Sequence, residues 1–198
     1  MGRIRRTTVK TSMAVAAAVF AVATGVALAQ QSPAPAAAPG QAVVQARAMI
    51  AGEGISGTAE FREFPEGTGR KVEVTVTVKG LKPGLHGMHL HAVGKCEAPA
   101  FTSAGGHFDP GPFGNTDPDL NHPFHMGDLP NLQAGANGEA RVTAVTTRVT
   151  LTQGPLSVFD PDGTALIIHA NQDQGVTGAS KSGLSGGPRV ACGVLEKK

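Results

Sequence analysis

The sequence predicts an all-β domain, a sandwich or barrel of about eight short strands. Residues 71–79 read Lys-Val-Glu-Val-Thr-Val-Thr-Val-Lys, an unbroken alternation of apolar and polar side chains. This period of two is typical of a half-buried antiparallel strand. Turn sequences rich in Gly, Pro and Asn separate the other apolar runs, and the chain has neither a convincing helical pattern nor an internal repeat.

Shorter apolar runs define the other predicted strands. Besides 71–79, they are residues 42–50, 57–64, 84–91, 139–144, 165–169 and 189–195. Turns are expected between them at 65–69, 82–84 and 160–163, and Asn137-Gly138 is a hairpin signal. Residues 145–151 stay ambiguous because the alternation slips there.

The first 29 residues have the features of a signal peptide. Four basic residues open the chain, an apolar run fills 13–28, and Ala27-Leu28-Ala29 forms a cleavage sequence. The run is short and alanine-rich for a membrane span, although a signal anchor is the alternative. Residues 30–41 are a predicted Pro/Ala-rich linker, which leaves 42–198 as one domain. We expect a periplasmic or secreted protein with no membrane anchor after cleavage.

The charge balance gives no reason to expect nucleic acid as a partner. The chain has 17 Lys and Arg against 15 Asp and Glu. Four of the basic residues and no acids lie in residues 1–29, so the mature chain has 13 against 15 and a formal net charge of −2. The slight basicity therefore belongs to the signal peptide, and binding to nucleic acid or an anionic membrane is not indicated.

Two long segments interrupt the strand pattern. Residues 94–131 are rich in Gly and Pro, and residues 171–188 in Gly and Ser, and such long loops tend to be functional. They need fixed points, which a metal ion and a disulfide would supply. Cys96 and Cys192, the only cysteines, are predicted to form one disulfide after export, with two separate buried thiols as the alternative.

Histidines on the predicted strands indicate a transition-metal site. His89 and His91 are separated by one residue, so a strand directs both to one face and Leu90 to the other. With His169 they make an imidazole set suited to copper. A solvated strand face is the ordinary alternative for such a pair. His86 stands at an odd step from His89 and is interpreted as a buried structural residue.

Further nitrogen and oxygen donors lie in the first long segment. His125 is followed by Asp128 on a predicted tight turn, and His107 and His122 precede them. Two or three histidines with one carboxylate and no thiolate suit Zn²⁺ in a tetrahedral site.

Four separated motifs give residues 42–195 a resemblance to the copper/zinc superoxide dismutases. In order, they are 84–91 (GLHGMHLH), 103–110 (SAGGHFDP), 125–130 (HMGDLP) and 187–194 (GPRVACGV). The resemblance, interpreted as one to bacterial exported members, implies an eight-stranded antiparallel Greek-key sandwich or flattened barrel with two long functional loops. It also implies copper and zinc as cofactors.

The resemblance implies a role for individual residues. The implied copper ligands are His89, His91, His107 and His169, and the implied zinc ligands include His107, His125 and Asp128. Asp173 matches the carboxylate that braces ligands of both metals. Arg189 matches the arginine that holds the anionic substrate beside copper. Cys96 and Cys192 match the disulfide of the family.

The chain departs from the family pattern at one zinc ligand. Asn115 stands where the family usually has a second zinc histidine. His122 is the remaining histidine nearby and is assigned to zinc, with Phe124 expected to pack inward. Asp117 and Asp119 are the competing donors.

The implied activity converts two superoxide ions and two protons to oxygen and hydrogen peroxide. Copper would exchange the electrons, His107 would release copper and carry a proton, and zinc would hold His107 and its loop. The alternative is a non-catalytic periplasmic copper/zinc-binding protein, which needs neither His107 as a bridge nor Arg189. A metal-free structural sandwich would leave the histidines unexplained. The superoxide anion is the expected partner, and a homodimer is left open.

Overall fold

Eight β-strands build the part of the chain that the computed structural model describes, residues 43–111 and 114–198. The strands are β1 Val44–Gly52, β2 Ile55–Glu66, β3 Gly69–Lys79, β4 Gly84–His91, β5 Asp128–Ala134, β6 Ala140–Thr146, β7 Ala165–His169 and β8 Arg189–Lys197. Within these residues, helical structure is limited to a 3-10 turn at Thr102–Ala104, and no helix is suited to crossing a membrane. The predicted signal peptide 1–29 and linker 30–41 lie outside the described residues.

The strands close into an antiparallel barrel. Around it the order is β1-β2-β3-β6-β5-β4-β7-β8, and β8 pairs with β1. The connections from β3 to β4 and from β6 to β7 pass over the strands between them, which is a Greek-key arrangement. The predicted all-β fold class is confirmed. Both long loops start from strands that are neighbours in the barrel, β4 and β7.

The period-two alternation fills the barrel interior. In β3, Val72, Val74, Val76 and Val78 are buried, as the sequence pattern predicts. They belong to one apolar cluster with Phe61 of β2 and inward side chains of the other strands. Each buried side chain of this size contributes about 1.5–3 kcal/mol, so the interior gives β4 and β7 a rigid support.

Strand β7 is buried on both faces. Leu166 and Ile168 pack inside the barrel. On the opposite face, the first long loop covers the strand, where its Phe101 joins a cluster with Ile167 and Cys192. This two-sided burial explains why the sequence of β7 is a continuous apolar run and does not alternate.

A disulfide between Cys96 and Cys192 fixes the first long loop to β8. The predicted pairing is confirmed. The two cysteines are 96 residues apart in sequence, and the chain-entropy model gives a cross-link of this span about 4–5 kcal/mol of stabilisation.

Strand β5 is missing from the prediction, which placed its first four residues in the loop 94–131. Pro130 lies in the middle of the strand and breaks the alternation. A proline fits there because β5 pairs with β6 only at Ala134, so no ladder partner on that side needs the missing N–H. Leu129 and Leu132 still reach the core.

The ambiguous residues 145–151 divide between strand and loop. Strand β6 ends at Thr146. The alternation slips beyond it because the chain leaves the sheet, and Val149 and Leu151 then turn into the core.

A buried carboxylate connects β2 to the loop that follows β6. Glu63 stands on the inward row of β2 with no exposed surface and forms an ion pair with Arg70. Its side chain accepts hydrogen bonds from the backbone N–H of Leu151 and from Thr152, whose N and Oγ1 lie 2.7 and 2.9 Å away. A charge at an inward position is tolerated because it is paired and hydrogen-bonded.

We predict that Glu63→Ala lowers the free energy of unfolding by about 2–4 kcal/mol, because it leaves buried N–H donors without an acceptor. Urea denaturation measures the change. Glu66→Ala is the control, since Glu66 pairs with Lys71 on the surface, where such pairs contribute less than about 1 kcal/mol. Equal effects of the two substitutions would contradict this account.

Candidate metal centre

Six buried histidines gather on the outer face of the barrel, beneath the two long loops. In β4, Met88 and Leu90 point into the core, so the alternating residues His89 and His91 point outward. The six histidines each expose 2% or less of their surface and are His89, His91, His107, His122, His125 and His169.

Neighbouring strands and one loop residue build the first group. Strands β4 and β7 are hydrogen-bonded to each other, and the loop residue His107 forms an isolated bridge with His91. The ring centroid of His89 lies 4.1 Å from that of His107 and 4.9 Å from that of His169. We refer to His89, His91, His107 and His169 as the four-histidine group.

Each of the three histidines that the strands supply forms one hydrogen bond through one of its two ring nitrogens. The donors and acceptors are His89 Nε2 to Asp173 Oδ2 at 2.8 Å, His91 Nδ1 to Gly105 O at 3.0 Å and His169 Nδ1 to Gly187 O at 2.8 Å. The opposite nitrogens are buried and have no hydrogen-bond partner in the described residues; they are His89 Nδ1, His91 Nε2 and His169 Nε2, together with His107 Nε2.

The four-histidine group has the donor pattern of a metal site. One ring nitrogen from each histidine lies within 4.8 Å of the others. A buried polar atom without a partner costs about 1–3 kcal/mol, so four of them together require a common partner. Metal-binding histidines use their second N–H to contact a carboxylate or carbonyl, as these rings do. An all-imidazole set suits copper, and the residues fit that ion.

A second group contains one carboxylate. We refer to His107, His122, His125 and Asp128 as the mixed group. His107 Nδ1 lies 2.8 Å from Asp128 Oδ1 and 3.3 Å from His125 Nδ1. Asp128 Oδ2 lies 3.2 Å from His122 Nδ1 and 3.1 Å from His125 Nδ1.

These four separations, 2.8–3.3 Å, are close to the edge length of a tetrahedron around zinc. Ligand atoms about 2.0–2.1 Å from a tetrahedral Zn²⁺ lie about 3.3 Å from one another. The contact of His122 Nδ1 with Asp128 lacks hydrogen-bond geometry, whereas an ion shared by the four donors would satisfy it. The mixed group therefore fits Zn²⁺.

His89 also lies within reach of the mixed group. One nitrogen of His89 lies within 4.8 Å of donor atoms of His107, His122 and Asp128. His125, in contrast, contacts two members of the mixed group at 3.1 and 3.3 Å. The shorter contacts favour His125 as the fourth donor.

Burial keeps three histidines of the four-histidine group, His91, His107 and His169, neutral. Burial, followed by the charges of His107 and Arg189, lowers the pKa of His91. Burial, followed by the charge of His89, lowers the pKa of His169. Burial also lowers the pKa of His107 to about 3, despite the opposing effect of Asp128. Neutral imidazoles keep a lone pair available to a metal at physiological pH.

Carboxylates determine the protonation of the mixed group. Burial alone would lower the pKa of His122, but the nearby Asp128 and Asp173 carboxylates raise it to about 9. Burial alone would raise the pKa of Asp128, but hydrogen bonds from the histidines hold it well below its usual range. Without a metal, His122 therefore carries a proton at neutral pH, and Zn²⁺ would replace that charge between the same carboxylates.

Asp173 connects the two groups. Its Oδ2 accepts from His89 Nε2 at 2.8 Å and its Oδ1 from His122 Nε2 at 2.7 Å. Asn131 holds the backbone of Asp173, donating through Nδ2 to its O at 2.8 Å and accepting from its N at 2.9 Å. The sequence does not mark Asn131 as a site residue, since only its position at the end of the first long segment distinguishes it.

The competing donors Asp117 and Asp119 form hydrogen bonds that connect the two long loops. Asp119 accepts from the backbone N–H of Gly183 at 2.9 Å and of Ser185 at 3.0 Å. Asp117 accepts from Ser180 Oγ at 2.5 Å. Both carboxylates are thus engaged in loop–loop contacts, and His122 is the residue that the structure brings to the mixed group.

One detail of the expected loop path is wrong. Phe124 does not pack inward but is 66% exposed. The inward contacts come from His122, whose backbone O accepts from Thr177 Oγ1 at 2.6 Å. Hydrogen bonds to the second loop therefore replace the expected apolar anchor.

Glycines allow the loops to approach the histidines closely. A Cβ on Gly87 would lie 3.0 Å from Ser185 O and 3.2 Å from Asp173 Cβ. Gly186 has a φ of 111°, and a Cβ there would lie 2.7 Å from His169 Cβ. Both positions require glycine for the second loop to close over the four-histidine group.

His86 is buried outside both groups. Its Nδ1 lies 2.7 Å from His169 O and its Nε2 lies 2.8 Å from Lys82 O. With both ring nitrogens engaged by carbonyls, His86 links the end of β7 to the turn before β4.

Arg189 lies beside the four-histidine group at the start of β8. It is the strand partner of His169, and it donates to Phe101 O at 2.7 Å and to Gly105 O at 2.5 Å. Gly105 O also accepts from His91 Nδ1. The guanidinium is only partly buried, and these contacts occupy two of its five N–H donors.

Comparison with known proteins assigns the family. Residues 55–195 match the family described as copper/zinc superoxide dismutase (SODC). The chain belongs to the copper/zinc superoxide dismutase family. The family implies copper and zinc as cofactors, and the described residues contain two clusters of histidines, one of them with Asp128, that could hold metal ions.

Relatives with this fold come from several kinds of organism. The chain is 39% identical over 157 residues to an extracellular superoxide dismutase [Cu-Zn] of Onchocerca volvulus, covering 75% of each protein. It is 37% identical over 167 residues to a superoxide dismutase [Cu-Zn] of Deinococcus radiodurans, covering 79% of this chain and 86% of the relative. The structure of a SOD-like protein from Bacillus subtilis has a TM-score of 0.63 and 33% identity, covering 76% of this chain and 97% of the other. The bacterial origin stays a prediction.

We predict that His122→Ala strongly lowers zinc affinity while copper binding is retained, because His122 belongs to the mixed group alone. Zinc and copper per chain are measured by elemental analysis, and zinc affinity by competition with a chelator. Asp117→Ala and Asp119→Ala are the matched controls from the same loop. Normal zinc content in His122→Ala, with loss in either aspartate variant, would overturn the assignment.

Proposed function

We propose that the chain is an exported superoxide dismutase whose four-histidine group binds copper and whose mixed group binds zinc. The observation that carries this proposal is the convergence of four buried histidine nitrogens, which have no hydrogen-bond partner among the described residues, beside a partly exposed arginine. Membership of the chain in the copper/zinc superoxide dismutase family supports the same conclusion. Superoxide as the substrate follows from the family.

Copper would be held by His89, His91, His107 and His169. When bound, it supplies the one-electron chemistry that dismutation of superoxide requires. The four rings stand on a rigid barrel face or beneath a loop fixed by the disulfide, so they set the arrangement of donors before the metal arrives. Their burial keeps competing water away from the reacting anion.

His107 is the residue common to both groups. Its Nδ1 points at the mixed group, and its Nε2 is a buried atom with no partner in the described residues. For both nitrogens to bind metals, the ring has to give up its last proton. We infer that Nε2 is also the atom that takes up a proton and returns it to the product.

Arg189 supplies positive charge for the substrate anion. Its guanidinium stays charged although burial lowers its pKa. The hydrogen bonds to Phe101 O and Gly105 O fix its position and leave other N–H donors free to bind an anion. Because Gly105 O also accepts from His91, the same carbonyl positions Arg189 and one proposed copper ligand.

The alternative is a non-catalytic copper/zinc-binding protein. One relative, 37% identical over 139 residues, is a superoxide dismutase-like protein of Bacillus subtilis. Storage or delivery of metal would not need a residue shared by the two groups or an arginine beside them. The position of His107 and Arg189 therefore favours catalysis.

Export is part of the proposal. The sequence of residues 1–29 supports it, and the extracellular relative and the Cys96–Cys192 disulfide fit an exported protein.

We predict that the copper- and zinc-loaded chain dismutates superoxide with a kcat/KM of about 10⁸–10⁹ M⁻¹s⁻¹, near the diffusion limit. The double variant His89→Ala, His91→Ala should lose copper and activity. Pulse-radiolysis rates and metal content measure both, and zinc content at the wild-type level shows that the variant is folded. A wild-type chain that binds both metals without activity would favour the alternative function.

We predict that Arg189→Ala lowers kcat/KM about tenfold or more and flattens its dependence on ionic strength, because guidance of the anion is lost. Rates measured over a range of salt concentrations test this. Lys181→Ala is the control: Lys181 is an exposed cation on the second long loop and should change the rate less. An unchanged rate and salt dependence in Arg189→Ala would remove Arg189 from the mechanism.

A further inference from the structure

The ring of His125 lacks the hydrogen bond that orients the other metal-facing rings. His122 donates through Nε2 to Asp173, and the rings of β4 and β7 donate to Asp173 or to carbonyls. His125 Nε2 is buried and has no hydrogen-bond partner in the described part of the chain. A histidine that binds a metal is normally oriented through its second nitrogen. Contacts of the His125 backbone can take over part of this orienting role.

A single side chain contacts that backbone at three carbonyls. Arg148 donates through Nη1 to Pro123 O at 3.1 Å and to His125 O at 2.9 Å. It donates through Nη2 to Asp128 O at 3.1 Å. Two of the three acceptors belong to residues whose side chains are in the mixed group. The third belongs to the residue directly after His122.

The turn that carries these side chains is closed by its own atoms, and its end is joined to β4, where Leu90 N donates to Gly127 O at 2.9 Å. Asp128 Oδ2 accepts from His125 N at 3.0 Å, and Asp128 N donates to His125 O at 3.3 Å. These bonds close the turn and join its end to β4, but none of them comes from the side of β6. Arg148 supplies an attachment from the chain that leaves β6.

Arg148 itself has a fixed place in the fold. Its backbone N donates to Thr146 Oγ1, at the end of β6, at 3.1 Å. The next residue, Val149, is completely buried in the barrel core. The guanidinium therefore projects from a rigid part of the barrel towards the turn. Its planar fork can contact three carbonyls together, which the single ammonium group of a lysine does poorly.

We propose that Arg148 is a positioning residue for the zinc half of the centre: its guanidinium holds the 123–128 turn so that the side chains of His125 and Asp128 meet His107 and His122. This inference rests on the proposed function, because it concerns the ion that the mixed group binds. The guanidinium of Arg148 contacts the backbone carbonyls of His125 and Asp128 and not their side chains, so Arg148 acts through the backbone.

The test compares zinc affinity and cobalt spectra of three variants of the full mature chain. Arg148→Ala should weaken zinc binding about 10–100-fold, the usual effect of removing a residue that orients a metal ligand. Co²⁺ placed in the zinc site should show a d–d spectrum shifted from the wild-type spectrum, because the ligand geometry changes. Arg148→Lys should fall between Arg148→Ala and the wild type.

Arg141→Ala is the matched control. Arg141 is an exposed arginine of β6 that donates to Thr77 Oγ1, so it should leave both readouts unchanged. Thermal unfolding of the metal-free proteins separates positioning from general stability. Arg148→Lys keeps the positive charge and stem, which gives a folded variant if Arg148→Ala does not fold.

Wild-type zinc affinity and an unchanged cobalt spectrum in the folded Arg148 variants would overturn this inference and leave the proposed function intact. A loss of affinity with an unchanged cobalt spectrum, matched by an equal loss of metal-free stability, would also overturn it. A wild-type chain that binds no zinc in the mixed group would contradict the proposed function and this inference with it.

Discussion

The hydrogen bonds of the Asp173 carboxylate are the interaction on which the centre depends most. The centre requires several buried imidazoles whose lone pairs are directed at the two proposed metal positions. One oxygen of Asp173 accepts from His89 and the other from His122. Each ring is thereby turned so that its second nitrogen faces one of the proposed metals. Asn131 fixes the backbone of Asp173, so both groups share one rigid support.

The barrel and the loops contribute different parts of the centre. Strands β4 and β7 supply three histidines at fixed positions on a packed face. The other histidines come from a loop with few apolar side chains, and Asp128 follows it at the start of β5. Ordering such a loop costs about 1–2 kcal/mol per residue in backbone entropy. The disulfide, the cluster around Phe101 and the hydrogen bonds of Asp119 to the second loop offset part of this cost. Metal binding would offset more.

The regular strands could be predicted from sequence because alternation records burial directly, as in β3. Strand β5 could not, because Pro130 breaks its pattern and the missing β6 partner is a feature of the assembled barrel. The choice between His122 and the loop aspartates stayed open for a similar reason, since it depends on the path of an irregular loop. The contacts of Arg148 join segments that only the Greek-key crossing brings together. Family resemblance identified the motif residues, but not the residues that support them through the backbone.

The central claim is that two different metals share His107. X-ray diffraction from crystals of the copper- and zinc-loaded chain, recorded on both sides of each metal's absorption edge, tests it most directly. The account predicts a copper peak within the four-histidine group and a zinc peak within the mixed group, on opposite sides of the His107 ring. A zinc peak beside Asp117 or Asp119, or the absence of copper among the four histidines, would contradict it.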